Sequence, residues 1–242
     1  MTVNKPKFLY LVKKQPFYLK FLKIVFFYYC KFVFYFYTPL KVYNKKYIPN
    51  SSFILCSNHN SHMDVAILSA STNKSFNHFG MLAAKDYWFD NKYRRFFINL
   101  ILNLIPIDRK IDGIRKFPIK DTLSLCNSFM SFNERNLILF PEGSRGIKGE
   151  IKSFKKGAAS FSLNLNKPIL PAVIHGSHVA WPKGKKFMRP TPIEVHILEP
   201  IYPNAFLNTE NPNQDQLKKA IIDFTNYLED KINKKVQEIY EK

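Results

Sequence analysis

A chain of 242 residues with 46% hydrophobic residues can bury a sizeable core, which argues against a disordered protein. Its formal net charge of +19 favours a polyanionic partner: an anionic membrane, a phosphorylated substrate or a nucleic acid. The three cysteines include no CxxC pair, which argues against a disulfide framework or a zinc site and favours a reducing compartment.

The first element along the chain is an aromatic and aliphatic run over residues 17–40. Lysines interrupt it, which argues against a cleavable signal peptide and against a plain transmembrane helix. On a helical wheel Lys13, Lys20 and Lys31 lie within about 20° of one another, and Lys23 lies about 60° away. A cationic stripe on an aromatic cylinder predicts an interfacial helix in one membrane leaflet. The alternative is a buried core helix with snorkelling lysines.

The interfacial interpretation predicts a monotopic, membrane-associated protein. Residues 1–45 would form the membrane-associating helical segment, and residues 46–242 the following domain. Because lysines favour the cytoplasmic side, we expect the segment at the cytoplasmic face.

Residues 46–242 show the alternation of an α/β domain. Short apolar runs predict strands at Phe53–Cys56, Phe79–Ala83, Leu137–Phe140, Ile169–Ile174 and Ile193–Leu198. Helical segments are predicted near residues 62–70, 88–103, 114–132 and 154–165, followed by a long amphipathic helix that Pro212 opens.

The first group of reactive side chains follows the strand Phe53–Cys56. His59 and Asp64 lie five residues apart, so they meet only if the chain turns between them. Ser61 supplies that turn as a predicted N-cap, which places Asp64 in the third helical position. His59 could then act as a general base while Asp64 holds its other ring nitrogen. The alternative is a capping box with a structural histidine, and His62 is interpreted as an exposed residue at the helix start.

The second group is the loop Phe140–Gly146, which follows the strand Leu137–Phe140. Arg145 could bind a phosphate in a bidentate way. Glu142 could orient Arg145 or contact substrate hydroxyls. The alternative is a surface Glu–Arg pair, which contributes little.

Two further segments complete the pattern. The stretch Ile105–Arg109 leads from apolar residues into an acidic–basic pair, which makes Arg109 a second phosphate candidate. The run Ile169–Ile174 carries no reactive group and is predicted to form a pocket wall.

In this order and spacing the four segments resemble the conserved blocks of the glycerolipid acyltransferase family. Asn58, His59 and Asp64 match the HxxxxD block, and Phe140–Arg145 matches the FPEG[ST]R block completely. The other two blocks correspond to Ile105–Arg109 and to the proline-containing strand. The second block usually starts with Gly, where this chain has Asn103; Asn tolerates the left-handed conformations of a turn.

The resemblance implies an α/β fold, with a central mixed sheet flanked by helices and preceded by the N-terminal helical segment. It also implies a direct acyl transfer without a covalent acyl-enzyme, a metal or a bound cofactor. His59, oriented by Asp64, would deprotonate the acceptor hydroxyl, and the co-substrate would be acyl-CoA or acyl carrier protein. Backbone N–H groups around Gly143 would serve the oxyanion. The substrate-binding residues implied are Lys85, Arg109, Glu142, Gly143, Ser144 and Arg145.

The partners expected are a lysophosphatidate-type acceptor, an acyl thioester and a membrane surface. Glycerol-3-phosphate or another lysophospholipid stays open as the acceptor, because the motifs are shared. A different class is a non-catalytic basic protein that binds anionic membrane or nucleic acid. No nucleic-acid motif is present and the aromatics cluster near the N-terminus, so no nucleic-acid partner is predicted.

Other reactive side chains are assigned no chemistry. His175 and His178 follow a strand without an acidic or cysteine partner nearby, so they and His196 are interpreted as structural or surface residues rather than metal ligands. A serine nucleophile at Ser144 or Ser153 would need the Gly-x-Ser-x-Gly turn, which the sequence lacks.

Overall fold

The computed structural model describes residues 8–12, 15–85, 89, 91–108, 117–132, 135–146, 150–209 and 212–241. The described strands are β1 (Leu40–Tyr43), β2 (Ile54–Ser57), β3 (Phe79–Ala84), β4 (Asn103–Ile107), β5 (Asn136–Leu139), β6 (Ile169–His175) and β7 (Ile193–Ile197). The described helices are α1 (Leu9–Val12), α2 (Phe17–Phe36), α3 (Asp64–Ser71), α4 (Lys92–Ile101), α5 (Ile119–Met130), α6 (Gly157–Leu165), α7 (Ser177–Ala180) and α8 (Gln214–Tyr240).

The chain forms two compact units. Unit 1 contains the described residues of 1–29 and 74–138, and unit 2 those of 30–73 and 139–242. The boundary predicted at residue 45 differs from this division and stays a prediction.

Unit 2 contains a mixed sheet with the strand order β1-β7-β6-β2. β1 runs parallel to β7, β7 antiparallel to β6, and β6 parallel to β2. All four β2 residues are buried, as expected for a strand covered on both faces. The long helix α8 packs on β6 and α6 through Phe224, Leu228 and Ile232, which are at most 1% exposed. Its N-terminus is closed by a capping box between Asn213 and Gln216.

In unit 1, β3 pairs in parallel with both β4 and β5. Gly80 of β3 lies where a methyl group would come within 2.8 Å of the Phe129 ring and 2.9 Å of Ile105. The absence of a side chain there lets α5 approach the strand closely.

The helix α2 has one buried and one exposed side. Lys23, Phe27, Cys30 and Phe34 are buried, and Phe27 packs edge-on against Phe76 at 6.4 Å between ring centroids. The exposed side is aromatic and aliphatic: Phe17, Tyr18, Phe21, Leu22, Val25, Tyr28, Tyr29, Phe32, Tyr35 and Phe36. Of the helices in the described ranges, none has the length and apolarity required to cross a bilayer.

Of the predicted cationic stripe, Lys20 and Lys31 are exposed on α2, whereas Lys23 is buried. Lys23 is 1% exposed and donates to Gln15 Oε1 at 2.8 Å. Lys31 is exposed but donates to Asn73 Oδ1 at 3.0 Å, and Lys13 lies outside the described residues. The aromatic side chains therefore dominate the solvent-facing surface.

The α/β class, with mixed strand pairing and flanking helices, is confirmed, and the five predicted strands are present within two residues of their predicted ends. β1 and β4 were not predicted. Asn103 is not in a left-handed turn, because it begins β4 and is absent from the positive-φ residues. Its buried amide instead accepts from Gln15 at 2.8 Å and donates to the Phe76 and Phe79 carbonyls.

Candidate active site

The loop from β2 to α3 is fixed to the neighbouring strand by Asn58. Its side-chain amide donates to the Ile174 carbonyl at 2.9 Å and accepts from the Ile174 N–H at 2.8 Å. Asn58 is 3% exposed, so this two-way bond lies in the protein interior. It sets the point where the chain leaves β2, one residue before His59.

His59 and Asp64 are in contact, as the motif requires. The ring Nδ1 lies 2.8 Å from Asp64 Oδ2, and the carboxylate is fully buried. The same oxygen accepts from the Asn60 N–H at 2.7 Å and the Ser61 N–H at 2.8 Å. Three N–H groups converging on one oxygen fix the carboxylate. With Nδ1–H donating to it, Nε2 is the ring nitrogen left to take a proton.

The predicted N-cap at Ser61 is wrong. The helix α3 begins at Asp64 itself, with Met63 as the N-cap residue. The Ser61 hydroxyl donates to the Trp181 carbonyl at 2.6 Å and accepts the Met63 N–H at 3.3 Å. The turn is closed by the carboxylate, because Asp64 accepts the loop N–H groups that a capping serine would otherwise organise.

The His59 ring stacks on Phe140, with 3.9 Å between ring centroids and 14° between their planes. Its side chain is 21% exposed, so the ring reaches the surface. The aromatic contact fixes the ring plane, and Asp64 fixes its rotation.

Glu142 lies inside the protein and holds two loops together. It is 2% exposed; one carboxylate oxygen accepts the His59 N–H at 2.7 Å and the other the Lys152 N–H at 3.1 Å. Burial raises the pKa of Glu142, and these two N–H donors oppose that shift. Neither the predicted pairing with Arg145 nor the alternative of a surface ion pair is observed, since both carboxylate oxygens accept backbone N–H groups.

Arg145 lies against His62. Its Nη1 is 2.7 Å from His62 Nε2, and the imidazole lies 5.5 Å from the Trp181 ring. Burial lowers the pKa of His62, and the positive charge of Arg145 lowers it further. The neutral imidazole can therefore accept from the guanidinium. His62 is exposed, as expected, but the sequence did not indicate this partner.

Gly143 has a φ of 71°, which favours glycine. Its N–H donates to the Phe140 carbonyl at 2.9 Å. The turn therefore uses the Gly143 N–H itself, and the expectation that backbone N–H groups around Gly143 serve an oxyanion stays a prediction.

Two lysines to which the sequence assigned no role contact this loop. Lys152 Nζ donates to Ser144 Oγ at 3.1 Å and to the Arg145 carbonyl at 2.9 Å. The Lys155 side chain lies over Gly143, where its Nζ would be 2.8 Å from an added methyl group. The sequence did contain a signal for them, because three of the five residues in Lys152–Lys156, shortly after the FPEGSR motif, are lysines. Together with Arg145 these lysines form a cationic cluster beside Glu142.

Of the remaining substrate-binding candidates, one is not described and the other belongs to unit 1. Arg109 is outside the described residues; its neighbour Asp108 accepts from the Phe117 N–H at 2.8 Å. Lys85 belongs to unit 1, where it follows β3 and its Nζ lies 5.4 Å from the centroid of the Phe117 ring.

Fold and site together define a class: an α/β protein whose HxxxxD histidine and aspartate are in contact, with an FPEGSR loop stacked beside the ring. A family model described as Acyltransferase matches residues 39–175, more than half of the chain. The chain therefore belongs to the Acyltransferase family, and the glycerolipid acyltransferase resemblance of its motifs is confirmed.

The chain is also similar to individual relatives. A 1-acyl-sn-glycerol-3-phosphate acyltransferase of Limnanthes douglasii is 39% identical over 89 residues, 36% of this chain and 32% of that protein. The Saccharomyces cerevisiae protein of the same description is 27% identical over 189 residues, 74% of this chain and 54% of that one. The matches thus span about a third and about half of those relatives.

A similar fold occurs in a crystal structure of the 1-acyl-sn-glycerophosphate (LPA) acyltransferase PlsC from Thermotoga maritima. The TM-score is 0.63 at 22% identity, and the match covers 93% of this chain and 80% of that one. At this identity the comparison establishes a shared fold.

Proposed function

We propose that this protein transfers a fatty acyl group from acyl-CoA or acyl carrier protein to the hydroxyl of a lysophosphatidate-type acceptor in phospholipid biosynthesis. The observation that carries the proposal is the 2.8 Å contact between His59 Nδ1 and Asp64, which leaves Nε2 for a substrate proton. Support for the acceptor comes from relatives described as 1-acyl-sn-glycerol-3-phosphate acyltransferases.

In the proposed mechanism, His59 Nε2 takes the proton of the acceptor hydroxyl as its oxygen attacks the thioester carbonyl. The buried Asp64 carboxylate stabilises the imidazolium that forms. The tetrahedral intermediate expels the thiolate, which takes the proton from His59 and leaves as the free thiol. Acceptor ester and thiol are the products, and the enzyme returns to its starting state without a covalent intermediate.

The cationic cluster supplies the contacts for the acceptor phosphate. Arg145 presents a planar guanidinium with several donors, and Lys152 and Lys155 add two point charges to the same loop. The family resemblance adds Arg109 to this set. Glu142 acts as a positioning residue, because it holds the backbone of His59 and Lys152 together.

The exposed side of α2 supports a membrane location for this activity. Phe17, Phe32 and Tyr35 are 80%, 61% and 75% exposed, which is unusual for side chains of this size unless a lipid or a partner covers them. Both acceptor and product are lipids, so α2 would lie in the leaflet from which the substrate comes. The cytoplasmic face is proposed because thioester donors are available there.

An acceptor panel tests the proposal. Purified protein in mixed detergent–phospholipid micelles receives oleoyl-CoA and one of three acceptors: lysophosphatidate, glycerol-3-phosphate or lysophosphatidylcholine. Thiol release is followed with a chromogenic disulfide reagent, and the product is identified by mass spectrometry. We expect turnover with lysophosphatidate. Turnover with another acceptor but not with lysophosphatidate would show that the acceptor is assigned wrongly. If neither oleoyl-CoA nor oleoyl-acyl carrier protein releases a thiol, the proposal that this protein is an acyltransferase is overturned.

The phosphate contact gives a second prediction. Arg145→Lys keeps the charge but loses the paired donors of the guanidinium, so we expect the acceptor KM to rise about 10-fold with little change in the donor KM. Arg189→Lys, the same change at an exposed arginine of unit 2, serves as the matched control. A rise in the donor KM alone would move Arg145 to the thioester side of the site.

A further inference from the structure

Unit 1 contains a cavity beside the N-terminal part of α2 that the proposed chemistry does not use. Its volume is about 590 Å³. Lys20, His78 and Arg135 line it with basic groups, and Gln15 and Asn77 with neutral amides. No residue of the candidate active site is part of the lining. Arg135 comes immediately before β5, whereas the active-site loop Phe140–Gly146 comes immediately after that strand.

The arginine in this cavity is buried, and the described residues give it no anionic partner. Arg135 is 6% exposed, and its Nη1 has no hydrogen-bond partner among the described residues. The guanidinium carbon lies 4.8 Å from the centroids of both the Phe129 and Phe132 rings, so the aromatic side chains fix its position. A buried cation is costly unless it is paired, and here the rings preorganise a guanidinium whose Nη1 has no partner in the part of the chain that the structure describes.

The charged side chains of the described lining are both positive: Lys20 and Arg135. Burial lowers the pKa of His78, and Lys74, Arg135 and Lys20 lower it further. Burial and the charge of Arg135 together lower the pKa of Lys23 to about 7, so the positive charge of the cavity comes from Arg135 and Lys20. The described lining residues include no acidic side chain. Two cations in a concave site, one of them with a free donor at Nη1, match the chemistry of a phosphate group.

The surface next to the cavity is apolar. Phe17 lines the cavity and is 80% exposed, and Phe21 stacks on it at 6.1 Å between ring centroids. This aromatic side continues along α2. An amphiphile with a phosphate in the cavity could therefore lay its acyl chains along α2, whereas a free phosphate ion would use only the cavity.

We propose that this cavity binds the phosphate of an anionic phospholipid, with Arg135 as the principal donor and the exposed aromatic side of α2 against the acyl chains. The site is separate from the acceptor site. This proposal rests on the membrane location of α2 proposed above. It adds a specific contact between α2 and an anionic lipid. Binding there would stabilise unit 1 when the protein meets an anionic leaflet.

Calorimetric titration of the full chain with dihexanoyl phosphatidylglycerol, below its micellar concentration and at constant ionic strength, tests the site. We expect a saturable binding event in wild type that is lost in Arg135→Gln. It should persist in Arg145→Gln, which removes the proposed acceptor contact, and in Lys219→Gln, which removes an exposed lysine of α8. Undiminished binding by a folded Arg135→Gln protein would overturn the proposal.

The other titration arms separate the sources of the anion. Inorganic phosphate should bind the Arg135 site at least 10-fold more weakly, and dihexanoyl phosphatidylcholine should not bind it, because choline adds a positive charge. Equal affinity for inorganic phosphate would overturn the lipid assignment. If Arg135→Gln does not fold, the exposed cavity residue Lys20 takes its place: Lys20→Gln should bind phosphatidylglycerol about fivefold more weakly.

The variants also distinguish this proposal from the acceptor proposal. Binding lost in Arg145→Gln but kept in Arg135→Gln would overturn the second site and leave the acceptor site standing. Unchanged use of lysophosphatidate by Arg145→Gln would count against the acceptor site and leave the result at Arg135 unaffected.

Discussion

His59 and Asp64 show how much one carboxylate does in this site. Asp64 holds the ring and closes the turn that brings the ring to it, through three N–H groups on one oxygen. The spacing of the two residues predicted their contact. It gave no sign that the helix begins at Asp64, because a serine N-cap and an aspartate that accepts the loop N–H groups have the same sequence pattern.

Glu142 is the residue whose observed contacts differ most from its predicted role. A Glu next to an Arg in a loop is usually a solvated pair, but here the carboxylate is buried and bonded to two backbone N–H groups. Its partners are 83 and 10 residues away, so local pattern could not identify them.

We expect Glu142→Gln to lower the free energy of unfolding by about 1–3 kcal/mol, because the amide NH₂ cannot accept from a buried N–H. We also expect kcat to fall, since His59 would lose its backbone support. Urea unfolding and thiol release measure the two effects. Glu150→Gln, an exposed glutamate eight residues on, is the control and should change neither. Wild-type stability of Glu142→Gln would show that the buried carboxylate does not hold the loops together.

At the scale of elements, α2 combines both interpretations of its sequence. Phe27, Cys30 and Phe34 face the protein as in a core helix, and the opposite side is exposed and aromatic as in an interfacial helix. Helical periodicity placed Lys20 and Lys31 on one exposed face but did not predict that Lys23 points inward. Lys23 points inward because it donates to Gln15, which in turn donates to Asn103, 88 residues further along the chain.

Lys23 makes the stability dependent on pH. Burial, aided by Arg135, lowers the pKa of Lys23 from 10.5 to about 7. Between these values the unfolded chain keeps the proton that the folded chain has lost, so the wild-type free energy of unfolding should rise with pH. Lys23→Met lacks this rise. We expect the variant to be more stable by a few kcal/mol at pH 7, with an advantage that shrinks by about 1 kcal/mol per unit up to pH 10.

Denaturant unfolding at several pH values, followed by circular dichroism, measures this difference. Lys20→Met, at an exposed lysine of the same helix, is the control and should show no such trend. A constant difference between wild type and Lys23→Met from pH 7 to pH 10 would contradict the burial of a neutral amine.

The exposed side of α2 gives a test of membrane binding that leaves the fold intact. Phe21→Ser with Phe32→Ser removes two half-exposed rings, and we expect vesicle partitioning to weaken by about 2 kcal/mol, or about 30-fold. Phe187→Ser with Tyr202→Ser, two exposed aromatics of unit 2, is the matched control. Cosedimentation with anionic vesicles in high salt is the measurement. Equal loss in both pairs would show that α2 has no special role.

Point substitutions test membrane binding by α2 more specifically than removal of residues 1–45 does. That deletion would also remove β1, which pairs with β7, and Gln15, which donates to the buried Asn103. Loss of vesicle binding would then report unfolding as readily as loss of an anchor.

For the whole molecule, the alternation of apolar runs and helical segments was enough to predict the α/β class. It missed two strands for different reasons. β1 is four residues long and continues the aromatic run of α2, and β4 contains Pro106 and merged with the predicted helix before it. Both are defined by their pairing with β7 and β3, which sequence periodicity does not contain.

The candidate site was more predictable than the fold around it. His59, Asp64 and Arg145 lie in short motifs whose order along the chain carries the information. Lys152 and Lys155 were assigned no role in the site, because basic residues are frequent in a chain of charge +19 and no pattern set these two apart.

The central claim is that His59 is the general base of an acyl transfer. Thiol release from oleoyl-CoA in the presence of lysophosphatidate, compared between wild type and a folded His59→Ala variant, tests it most directly. We expect lysophosphatidate-dependent thiol release by wild type and a loss of about 10²–10⁴-fold in kcat for the variant. Turnover of His59→Ala within a few-fold of wild type, with circular dichroism showing an intact fold, would contradict it.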